Sequence, residues 1–78
     1  MSVAQKVRME RLERIRRFIK TLKANIGEDV NKVVAWFAVT TGLREKVVRE
    51  YLALLSRAGV VELENRIIKE VHEEKLIV

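Results

Sequence analysis

Three cations, Arg44, Lys46 and Arg49, follow Gly42 at short intervals in a chain that has only three glycines. If Gly42 is a turn and a helix begins near Arg44, the first two cations sit at that helix's positive end. Aligned peptide dipoles place roughly half a positive charge there. Basic side chains are mildly unfavourable in that position, and only Glu45 suits it. A phosphate would reverse the balance, because a helix N-terminus and a cation both attract it. These side chains are either simply exposed or they meet an anion. A locally wrong choice at a helix start favours the second reading.

Other chemistry is poorly supplied. The chain has no cysteine and a single histidine, His72, so neither a disulfide framework nor a histidine cluster can form. Glu73 and Glu74 are adjacent and point apart in a helix or a strand. There is no Gly-rich phosphate loop and no nucleophile with a base at a recognised spacing. His72 reads as a surface residue and Tyr51 as a core residue. The expectation is a non-enzyme with no metal, no cofactor and no small-molecule ligand.

The elements that must position the cations follow from hydrophobic spacing. Leu12, Ile15, Ile19, Leu22 and Ile26, widened by Phe18, form one helical stripe, so residues 1–26 read as a long basic helix closed by Gly27. Within it, Glu10–Arg14 and Glu13–Arg17 are favourable i,i+4 pairs. Residues 29–41 read as a second helix with Asp29 as N-cap. Val30, Val33, Val34, Phe37 and Ala38 form its inner face, and Trp36 lies off that face, against a neighbouring helix or a second subunit. Residues 43–58 read as a third helix with Leu43, Val47, Tyr51, Leu54, Leu55 and Ala58 inward and Leu52 at the margin. Gly59 is its C′ residue, so every glycine falls at a helix end.

After Gly59 the period changes to short β-branched runs. Residues 60–71 read as a hairpin turning at Glu64-Asn65-Arg66. Residues 72–78 form a tail whose Leu76, Ile77 and Val78 extend a strand, pack on a partner or fray.

The whole is one small domain, mainly α with a C-terminal β-hairpin. With 78 residues its core must be thin. No apolar run reaches the length of a membrane span, and the charged N-terminus lacks a hydrophobic signal core. The expected location is therefore cytoplasmic. Charged residues make up 35% of the chain, a mix seen in proteins of heat-adapted organisms. The net charge is +5 and is unevenly placed: residues 1–23 carry +6 and residues 60–78 carry −2. Such asymmetry favours a polyanionic partner.

Two helices joined by a short glycine turn allow the second to project at a steep angle, and the DNA major groove is just wide enough to admit it. The segment VTTGLREKVVREYLALLSRAGVVEL, residues 39–63, resembles the winged helix-turn-helix family. Thr41-Gly42-Leu43 matches that family's turn. Val47, Tyr51-Leu52 and Leu55 match its recognition helix, and Ala58-Gly59-Val60-Val61 matches the step into the wing strands. Two positions depart from the pattern. Arg44 stands where the family usually has a Ser or Thr cap, whose loss typically costs ~1 kcal/mol. Val48 stands where a polar residue is common.

The resemblance implies a sequence-specific regulator of transcription that binds double-stranded DNA, most similar to the small regulators of archaea and their viruses and plasmids. It places Arg44, Lys46 and Arg49 in the major groove. Arg49 suits guanine O6 and N7, and Lys46 suits phosphate. Val48 contacts a thymine methyl group or fills a packing gap. Asn31 and Lys32 are expected at the DNA backbone. Asn65 and Arg66 are expected at the wing tip, with Glu62 and Glu64 beside them as a weakness. Arg8 and Arg11 belong to a basic arm that binds DNA, lines a dimer helix or is solvated. The first helix exceeds what the fold needs, which favours a homodimer. Two other functions fit the same residues: a non-specific architectural protein, or a protein–protein docking module, since Glu45, Glu50, Glu62 and Glu64 dilute the basic surface.

Overall fold

Val30, Val33, Val34, Phe37 and Ala38 recur at helical spacing, and all five are buried on one face of α2, Val30–Thr41. Asp29 caps this helix: its Oδ1 accepts from the Asn31 amide at 2.9 Å. The structure is a computed structural model that describes the backbone of residues 3–75 and the side chains of residues 9–75. Leu76, Ile77 and Val78 and the Arg8 side chain lie outside the described residues.

Around α2 stand α1 (Val3–Ala24), α3 (Glu45–Arg57), and an antiparallel hairpin of β1 (Val61–Glu64) and β2 (Ile67–Val71). A short 3-10 turn, Glu73–Lys75, follows. The chain is thus mainly helical with a C-terminal hairpin, as its periodicities predict. Among the described residues no helix is long and apolar enough to cross a membrane.

One core joins all the elements. Phe18, Ile19 and Leu22 come from α1, Val48, Tyr51 and Leu55 from α3, and Val60, Val61 and Ile68 from the hairpin segment. The Phe18 and Phe37 rings meet at a centroid distance of 4.9 Å, tilted by 45°, which is a favoured aromatic geometry. Burying each of these large apolar side chains contributes about 1.5–3 kcal/mol.

The inward face of α3 is turned relative to expectation. Leu54 is 55% exposed and Ala58 is exposed, whereas Val48 is fully buried. α3 packs on α2 and β1, and that pair of neighbours favours the 48–51–55 stripe over the 54–58 one. Ile26, expected to close the α1 stripe, is 50% exposed, because α1 ends at Ala24 and Ile26 lies in the following turn. Trp36 is 59% exposed, so most of its surface is left uncovered by the chain.

The corners are explicit. Gly42 adopts φ 75 at the end of α2, a left-handed conformation that costs other residues about 1–2 kcal/mol. The Thr40 and Thr41 hydroxyls donate to the Phe37 carbonyl at 3.2 and 2.6 Å, respectively. α3 ends in a Schellman motif. Val60 N donates to Leu55 O at 2.9 Å and Gly59 N to Ser56 O at 3.1 Å, with Gly59 at φ 78.

The hairpin is tied to the α1–α2 corner, which the hydrophobic pattern does not predict. Gly27 N donates to Ile68 O at 2.7 Å, Ile68 N to Glu28 O at 3.0 Å and Val30 N to Arg66 O at 2.7 Å. Asp29 bridges Ile67 in the antiparallel sense. Strand β2 therefore has β1 on one edge and residues 27–30 on the other. Glu28 and Asp29 have low β-propensity, so nothing in their types announces the pairing.

Candidate nucleic-acid interface

The turn Gly42-Leu43-Arg44 delivers the chain to the start of α3 with Arg44 in an extended conformation, φ −71 and ψ 142, at the N-cap. Its side chain makes no capping hydrogen bond. The first turn of a helix has orphan amides that a cap, water or an anion must satisfy, and here no side chain of Arg44 does so. Arg44 and Lys46 are both exposed, and among the described residues neither forms an ion pair. Glu45, Lys46, Arg49, Glu50 and Ala53 form the open outer surface of α3. Val48, Tyr51 and Leu55 hold the opposite side in the core.

Arg49 is less free than its position in the sequence implies. Its Nη2 lies 2.6 Å from Glu45 Oε1 and its Nη1 donates to Asn31 Oδ1 at 3.0 Å. These contacts orient the planar guanidinium and link α3 to the start of α2. The side chain remains 48% exposed, so part of the fork still faces outward.

The start of α2 is where the expected contacts gather. Asn31 meets Arg49 there, Lys32 beside it is exposed, and the Arg66 carbonyl accepts from the Val30 amide. The hairpin tip is thereby fixed next to the α2 N-terminus. Asn65 and Arg66 form its two-residue turn, both exposed, at φ 51 and φ 68. A two-residue turn with both φ values positive matches the right-handed strand twist. Asn tolerates this conformation well, and Arg does not.

Val48, expected either at a thymine methyl group or in a packing gap, takes the second place. It is fully buried and packs in the core, so it fills a packing position and cannot touch a base. Arg11 is exposed on α1, away from this surface in the chain. Arg14, Arg16 and Arg17 are exposed on the same helix.

The hairpin's outer surface is acidic. Glu62, Glu64 and Glu70 are exposed, and Lys69 Nζ lies 3.4 Å from Glu64 Oε2. Hydrogen bonding with the Glu70 carboxyl, then with the His72 ring, holds the Glu62 carboxyl below its ordinary value. His72 is no plain surface residue: it is half-buried with carboxylates facing both ring nitrogens. The sequence hides this grouping, because a regular hairpin turning at Asn65-Arg66 pairs Glu62 with Lys69. The observed register shift pairs it with Glu70 instead.

Comparison with family models, with curated proteins and with solved structures finds no match for this chain.

Proposed function

We propose that this chain is a winged helix-turn-helix protein that binds double-stranded DNA in a sequence-specific manner and regulates transcription. α3 is the recognition helix and the hairpin is the wing. The observation that supports this best is the outer face of α3. It starts at an uncapped N-terminus flanked by Arg44 and Lys46 and carries an oriented Arg49 one turn on. Phosphate satisfies the open helix start. The outward part of the Arg49 fork is directed at a base edge, while Asn31 and Lys32 meet the DNA backbone. Arg66 reaches the adjacent phosphates. α1 joins two copies so that two half-sites are read together.

The non-specific, architectural reading draws on a separate observation. Glu45 and Asn31 already occupy much of the Arg49 fork, and exposed arginines run along α1 outside the α3 surface. Both features favour backbone binding over base reading.

Titration of the full chain against duplexes selected from a random pool, and against unselected duplexes, at several salt concentrations separates the readings. The regulator binds selected duplexes far more tightly, and both affinities fall steeply as salt rises. Equal affinity for every duplex leaves only the architectural reading. No binding at low salt removes both.

A further inference from the structure

The outer face of the hairpin carries a group of side chains for which DNA binding has no use. Glu62 and Glu70 are direct cross-strand partners, a placement in which like charges repel. Alternation from the buried Ile68 would turn Glu70 inward. The register shift leaves Lys69 unpaired and puts Glu70 on the exposed side with Glu62. His72 comes next on that side. Its Nε2 lies 3.2 Å from Glu70 Oε2 and 3.4 Å from Glu62 Oε2. Its Nδ1 lies 3.6 Å from Glu74 Oε1.

One ring nitrogen facing two carboxylates carries at most one hydrogen, so it cannot donate fully to both. A cation at their common focus satisfies all three. Donors at zinc's usual distances of about 2.0–2.1 Å, at a tetrahedral angle, stand about 3.3 Å from each other. That is the separation found between Nε2 and each carboxylate oxygen. The ligand atoms of Glu62, Glu70 and His72 all fall within 4.8 Å of one another.

The geometry points to a binding site for one divalent cation of the zinc class, held by Glu62, Glu70 and His72 Nε2. Water completes the coordination. Imidazole nitrogen with two carboxylates suits zinc and its transition-metal neighbours, whereas magnesium prefers an all-oxygen shell. Glu74 is a positioning residue. Its Oε1 stands 3.6 Å from Nδ1; when the metal takes Nε2, a small movement lets it accept from Nδ1–H and fix the tautomer, the carboxylate–histidine pairing common behind metal ligands. The site stands apart from the α3 surface and does not depend on DNA binding.

The test uses the full chain without DNA. His72 is the only histidine, so its ring resonances report without ambiguity. Zinc chloride is titrated at neutral pH and followed by calorimetry and by nitrogen NMR of the ring. Saturation at one zinc per chain is expected, with Nε2 moving to a metal-bound shift and Nδ1 staying protonated. The melting temperature rises with zinc concentration, and equal magnesium leaves the ring unmoved. The double variant Glu62→Gln/Glu70→Gln folds but loses zinc-induced stabilisation. Glu74→Gln weakens zinc binding about 10–100-fold and disturbs the tautomer. The same distances also describe a protonated ring paired with carboxylates. A ring that titrates with pH but ignores millimolar zinc overturns the proposal, as does a double variant that binds zinc like the wild type.

Discussion

Arg44 stands at the N-cap of α3 with no side-chain hydrogen bond to offer the helix. Ser, Thr, Asp or Asn there accepts an amide of the first turn and typically adds ~1 kcal/mol. Arg44→Ser is therefore expected to raise the unfolding free energy by about 1 kcal/mol. The same change weakens duplex binding and lowers the slope of log affinity against log salt by about one. Denaturant melts and salt titrations of the one variant check both halves. Opposite signs for stability and binding distinguish a functional cation from a neglected cap. Val48 gives the converse case. Buried on the core side of the same helix, it loses about 2 kcal/mol of stability on Val48→Ala. Preference among duplexes stays unchanged once the variant is folded, as selection from a random pool will show. The sequence makes Arg44 legible, because a cation at a helix start is visible without coordinates. It leaves Val48 open, since the phase of an amphipathic helix with apolar residues on several sides is set by its neighbours.

At the scale of elements, the inward face of α2 is readable and that of α3 only in part. Val30, Val33, Val34, Phe37 and Ala38 share one face of α2, and all five are buried, while Trp36 and Val39 lie off it and are exposed. α3 has Val47, Val48, Leu52, Leu54 and Leu55 around much of its circumference, so packing on α2 and β1 decides which of them turn inward. The hairpin was legible as two runs and a turn. Its register was not, because the shift beside Lys69 has no residue signal of its own, and with the register went the meeting of Glu62, Glu70 and His72. The turn carries its own experiment. Arg66 holds φ 68, where glycine is favoured. Arg66→Gly is expected to stabilise the fold by about 1 kcal/mol, measured by thermal melting. On the proposed reading it also weakens duplex binding, because the hairpin tip loses its cation.

On the scale of the whole molecule, charge and shape diverge from a minimal domain. Among the described residues of α1 ahead of Phe18 the apolar side chains are not fully covered: Met9 is 51% exposed, and Leu12 and Ile15 are only partly buried. In the proposed dimer, a second copy lies along this stretch, covers that seam and sets its arginines beside the DNA. Met9→Glu/Leu12→Glu is expected to turn a dimer into a monomer in sedimentation velocity, with the melting transition of the monomer retained. Duplex affinity falls with it, because two half-sites are no longer bound together. The sequence shows the length of α1 and its basic bias. A partner surface is a property of two chains and is only hinted at by apolar residues left over in one.

The tie between β2 and residues 27–30 governs the order in which a nascent chain becomes native. Both α1 and α2 are synthesised before Ile67 and Ile68 exist, so their corner waits for a strand made some forty positions later. Chains emerge and begin to fold from their N-terminal side, yet here β2 closes the α1–α2 corner. A fragment ending at residue 59 is expected to keep helical far-ultraviolet dichroism and to lack the near-ultraviolet signal of a fixed Tyr51. In that sense the α1–α2 corner locks only when β2 has been synthesised.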